Sequence, residues 1–144
     1  MPKSLKFVRG LLVVLAVMAA IDTLGRIGIV DEFGAAGSVP QAGGFALLAA
    51  AGGVVFLVSG GAYFLLGTPE KMNWWLALLL PVAAAVNFAI AILVIPEEHV
   101  QAWTVIDLYL FNGLLPLIVT GLLLKRPVRI YFGISQPPSR AKAA

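Results

Sequence analysis

Apolar positions run along this chain in four long blocks, residues 7–30, 43–66, 73–95 and 102–124, separated by three short polar breaks. Each block holds 23 or 24 residues, against the ~20 that carry an α-helix across a ~30 Å hydrocarbon layer. A backbone facing lipid has no water to bond with. Each block is therefore expected as a helix that satisfies its own N–H and C=O groups. The breaks are 31–42, 67–72 (GTPEKM) and 96–101 (PEEHVQ). Links this short make sequence neighbours antiparallel, so the pattern predicts an all-α, four-span, up-down-up-down membrane bundle. Residues 1–126 are assigned to that transmembrane domain and 127–144 to a basic tail.

Finer spacing predicts how the helices meet. Small residues recur every seven positions in the second block (Ala46, Gly53, Gly60, Gly67) and in the third (Ala77, Ala84, Ala91). A seven-residue beat keeps one seam turned towards a partner, and small residues there let two backbones approach closely in lipid. The two blocks are joined by a six-residue link, so their seams are expected to meet each other; the alternative is that one seam receives another subunit. Pro81 and Pro116 each remove a backbone hydrogen bond and predict a bend, the second of them mid-span.

Composition agrees with this architecture. Hydrophobic residues make up 60% of the 144-residue chain and charged ones only 12%, with a mean hydropathy of +0.98. A soluble domain carries about 25% charged residues, so the excess apolar surface must face lipid. The absence of cysteine excludes disulfides, thiolate metal sites and iron–sulfur clusters. A single histidine, His99, excludes bis-histidine haem ligation.

The net charge of +3 matters through its placement. Lys3, Lys6, Arg9, Lys71, Lys125, Arg126, Arg129, Arg140 and Lys142 fall on one side of the predicted bundle, and only Arg26 on the other. Cytoplasmic flanks are enriched in Lys and Arg, so both termini are expected inside the cell. The basic balance is thereby a topology signal for a multi-pass protein of the cell membrane, and no nucleic-acid partner is expected. Lys3, Lys6 and Arg9 before LLVVLAVMAA also resemble a signal peptide with a cleavage site near Ala20. The apolar pattern continues through Ile21, Leu24, Ile27 and Ile29, which favours an uncleaved span.

Candidate chemistry is confined to a few polar residues within the spans. They are Asp22, Arg26, Asn87, Asp107 and Asn112. Ionisable groups at membrane depth are costly and mark functional hypotheses by default. At 1.5 Å of rise per residue, Asp107 comes out about 7 Å from the outer end of its helix, Asn112 about 15 Å, and Asn87 and Asp22 about 12 Å. All five then occupy the outer half of the bundle, Arg26 being shallower than Asp22. Asp22 and Arg26 are four residues apart and are expected to pair on one face. Including Asp107, the three carry one net negative charge, which invites a proton, a cation or a ligand amine. Asp107 and Asn112, five apart in VIDLYLFNGLLP, should diverge by about 140° on an α-helix, which argues against one compact site.

Two readings of these residues stand. One is polar glue, with interhelical hydrogen bonds contributing about 1 kcal/mol each; the other is an ion or ligand pocket open to the outside. Glu97, Glu98 and His99 form a loop cluster that could bind a divalent ion, with solvated charge the simpler reading. Trp74, Trp75 and Trp103 suit the interfacial aromatic belts. Arg126, Arg129, Arg140, Tyr131 and Phe132 suit an anionic headgroup surface. There is no phosphate-binding glycine loop, nucleophile elbow or HExxH motif. The expectation is a non-enzymatic accessory or structural membrane subunit without cofactor or metal. It would pack in the lipid bilayer with other membrane subunits or with copies of itself. The alternative is a small transporter, channel or ligand-binding protein built around the five polar residues.

Overall fold

Leu5, Val8, Leu12, Leu15 and Ala19 follow one another at alternating steps of three and four, and this stripe is the buried edge of α1 (Lys3–Ala35). The computed structural model describes residues 1–137, and every regular element among them is helical. Arg140 and Lys142 of the basic tail lie outside the described residues. After α1 come α2 (Val39–Leu65), α3 (Lys71–Ala77) and α4 (Leu80–Val94). A 3-10 turn (Glu97–His99) leads to α5 (Ala102–Ile106), a π-helix (Asp107–Leu114), α6 (Leu115–Leu123) and α7 (Arg126–Tyr131). Four helical stretches are long and apolar enough to cross a membrane: Lys3–Ala35, Val39–Leu65, Lys71–Val94 and Ala102–Leu123. Large apolar side chains such as Leu24, Leu57, Phe64, Leu93 and Leu117 point outwards from all four. Such a surface suits lipid rather than water.

Local sequence explains the breaks. α1 stops where Gly37 takes a positive φ of 76°, a conformation that costs glycine nothing. The N–H groups of Gly37 and Ser38 turn back to the carbonyls of Gly34 and Phe33 there. Pro40, at the start of α2, has no N–H to leave unpaired. Pro81 divides the third stretch: Leu78 and Leu79 form a tighter turn, with the Leu79 N–H reaching only to the Leu76 carbonyl, before α4 resumes.

Two apolar clusters hold the helices. The larger joins Leu5, Val8, Leu12 and Leu15 to Ala62 and Leu66, to Trp74, Ala77 and Leu80, and to Val119 and Leu123. Val128 and Phe132 complete it. The start of the segment assigned to a basic tail is thus folded into the larger apolar cluster, with Arg126 and Arg129 exposed beside it. Trp74, expected in the interfacial belt, is buried and donates its indole N–H to the Leu123 carbonyl at 3.0 Å. Trp75 and Trp103 are exposed. The smaller cluster joins Phe45, Leu48, Ala91 and Leu108, with Ile29, Val30 and Phe33 against it.

The small-residue seam of the third stretch, Ala77, Ala84 and Ala91, is buried. The seam expected in α2 is displaced. Ala46 and Gly67 are exposed, and a methyl group added at Gly53 or Gly60 would meet nothing within 4 Å. The buried line of α2 lies one residue earlier, at Phe45, Gly52, Ser59 and Leu66. One residue is about 100° of helix rotation. The inner face is selected by Phe45, Leu48, Val55 and Leu66, whose burial outweighs the glycine beat. α2 packs most extensively on α1 and also meets the third stretch, but Gly53 and Gly60 are not at that contact.

Candidate functional site

Between the two apolar clusters lies a polar layer to which α1, α4 and the π-helix contribute side chains and α2 a backbone carbonyl. Arg26 of α1 is at its centre. Its Nη1 donates to the Leu48 carbonyl of α2 at 3.0 Å and to the Asn87 Oδ1 of α4 at 2.9 Å. Its Nη2 lies 3.8 Å from the Asp107 Oδ2 of the π-helix. Asn87 donates onward through Nδ2 to the Asn112 Oδ1 at 2.6 Å, and Asn112 Nδ2 returns to the Asp107 carbonyl at 3.3 Å. The exposures are 7% for Arg26, 2% for Asn87, 7% for Asp107 and 8% for Asn112, so these bonds form out of contact with solvent. In such surroundings a bond is electrostatically stronger and an unmade one more costly.

Each element has a sequence reason for its place in this layer. α2 approaches closely because Gly52 has no side chain: a Cβ there would stand 2.7 Å from both Arg26 Nη1 and Thr23 Oγ1. Thr23 is itself turned to the Ala19 carbonyl at 2.7 Å. The fourth stretch aligns its two polar residues by widening into a π-helix. The Leu115 N–H, closing it, bonds five residues back to the Leu110 carbonyl. In that register residues five apart stack on one face, as residues four apart do in an α-helix. Asp107 and Asn112 therefore point the same way, and the divergence expected from α-helical spacing does not occur. Pro116 gives a reason for the wide turns. It has no N–H, and its ring would press on the Asn112 carbonyl in an α-helix.

Asp22 stands one turn before Arg26, half-buried. It is not within ion-pair distance of Arg26 among the described residues; the guanidinium turns instead to Asp107. Asp22 lines a cavity together with Arg26, Gly52, Asn87 and Asn112, with Leu15, Ala19, Val55 and Phe111 closing the rest. Its volume is about 10 Å³, which holds one water molecule at most. No organic ligand fits it.

All five polar residues singled out in the sequence meet in this layer. Gly52 and the Leu48 carbonyl were not legible there, because neither a single glycine nor a carbonyl stands out in an apolar helix. The π-helix did leave a signal, Asn112–Gly113 followed by Pro116. Among the described residues, no three His, Cys, Asp or Glu side chains lie close enough to hold a metal ion. No protein-family model, curated protein or solved structure matches the chain.

Proposed function

We propose that this is a non-enzymatic, multi-pass protein of the cell membrane. Its polar layer clasps an up-down four-helix bundle, and the bundle serves as an accessory or structural subunit for other membrane components. The observation that carries the reading is the closure of the layer. Arg26 Nη1 and the carboxamides of Asn87 and Asn112 engage one another or backbone carbonyls, and the space left admits one water. A binding pocket would instead present convergent polar groups around a volume of several hundred Å³. The open side of α2, with Ala46, Gly53 and Gly60 free of neighbours, supports the choice of partner. In lipid, a second helix approaches most closely along such a face.

The orientation proposed has both termini in the cytoplasm. Lys3, Lys6, Lys71, Lys125, Arg126 and Arg129 are exposed around the end of the molecule held by the larger apolar cluster. That distribution fits the inner membrane surface.

Native mass spectrometry of the protein released from its own membrane tests the reading. The expected result is a complex with another membrane subunit, lost in Gly60→Leu while the thermal unfolding of the chain itself is unchanged. A chain carrying a small molecule that Asp107→Asn abolishes would overturn the proposal in favour of a transport or binding role.

A further inference from the structure

The fold gathers cations from three remote parts of the chain at one end of the molecule. Leu5 and Val8 of α1, Trp74 of α3, Val128 of α7 and Phe132 are buried in one apolar cluster. Beside them Lys3, Lys6, Lys71, Lys125, Arg126 and Arg129 are exposed. Two contacts fix this placement. Arg9 Nε donates to the Tyr63 carbonyl at 3.1 Å, tying the start of α1 to the end of α2. A Cβ added at Gly133 would stand 3.6 Å from Lys71 Cε, so the Lys71 stem lies against the turn that closes α7. Gly133 takes a positive φ of 66° in that turn, and the Ile134 N–H returns to the Arg129 carbonyl at 2.8 Å.

Counter-ions are scarce here. Glu70 is the one acidic side chain at this end among the described residues, and it is exposed. None of the six cations lies within ion-pair distance of a carboxylate among those residues, where the one ion pair is Arg26 with Asp107. Like charges held together on a packed framework repel one another, and a bound anion relieves that repulsion.

We propose that this end binds the headgroups of anionic phospholipids, with Lys71, Arg126 and Arg129 at the centre of the surface. The neighbouring side chains select a lipid over a soluble polyanion. Phe7 follows Lys6, Met72 follows Lys71, Leu124 precedes Lys125, and Trp75 stands one turn beyond Lys71; all four are exposed. Cations interleaved with large apolar side chains suit the boundary where phosphate meets acyl chain, the apolar groups entering hydrocarbon while the charges reach the headgroups. The proposal rests on the chain spanning a membrane, as in the reading above, and not on which leaflet this end meets.

The test is native mass spectrometry of the full chain in detergent micelles, titrated with phosphatidylglycerol or with phosphatidylcholine of the same acyl chains. The expected result is a preference of about 100-fold for phosphatidylglycerol, three cations contributing about fivefold each. The combined variant Lys71→Gln, Arg126→Gln, Arg129→Gln should lose that preference and keep the parent's affinity for phosphatidylcholine. Equal affinity of the unmodified chain for the two lipids would overturn the proposal without recourse to any variant. So would a preference that survives the triple substitution, or displacement of phosphatidylglycerol by an equal concentration of an acidic peptide, which would assign the surface to a soluble partner. Retention of neither lipid would overturn it together with the membrane reading.

Discussion

Arg26 and Gly52 are a matched pair, and neither is intelligible alone. A guanidinium within a membrane span is costly unless its donors are engaged. Arg26 engages the Leu48 carbonyl, Asn87 and Asp107 because the backbone of α2 comes near enough, and it comes near because residue 52 is glycine. Gly52→Ala should therefore push on Arg26 and Thr23 and lower stability by about 1–3 kcal/mol, the usual cost of overpacking a filled interior. Gly60→Ala, facing open space, should leave the melting temperature of the isolated chain where it is. Thermal unfolding in detergent compares the two directly, and equal effects would contradict the assignment of the inner face. Arg26 and both acids were visible in the sequence as charges in apolar surroundings. Gly52 was not, because the seven-residue beat beside it drew the seam one position too far round.

At the scale of the element, the fourth helical stretch decides whether a site exists at all. Read as an α-helix, it sends Asp107 and Asn112 about 140° apart; as the π-helix it is, it sends both inwards. Sequence spacing is converted to direction through an assumed period, and an eight-residue π segment changes that period without changing any residue type. If Pro116 holds the wide register, Pro116→Ala should let the stretch relax towards an α-helix and turn Asn112 away from Asn87. The chain has no cysteine of its own, so Asn87→Cys with Asn112→Cys supplies the only thiol pair. A short thiol cross-linker should join them efficiently while Pro116 is in place, and several-fold less well once Pro116→Ala is added. Equal yields would separate the π-helix from the proline. Helix existence, by contrast, followed from block length and hydropathy, and all four long stretches lie where those blocks are.

For the whole molecule, the apolar clusters at the two ends and the polar layer between them make one arrangement that depends on every long helical stretch. Block lengths and link lengths in the sequence were enough to anticipate four apolar helices. They could not give the partner choice of α2, which depends on side-chain volumes meeting across the interior. Orientation makes its own prediction. An impermeant thiol reagent on intact cells should label Glu98→Cys, and should label Thr68→Cys only after lysis; the reverse pattern would invert the topology. The claim on which the account rests is that the polar layer holds the bundle together. Asn87 tests it most directly, since it links Arg26 of α1 to Asn112 of the π-helix from α4. Asn87→Leu keeps the branching and the number of side-chain heavy atoms and removes both bonds. Its thermal unfolding in lipid nanodiscs should show a loss of about 1–3 kcal/mol. A variant as stable as the parent, or more stable, would contradict the account: polar groups kept for a ligand at the expense of packing behave in that way.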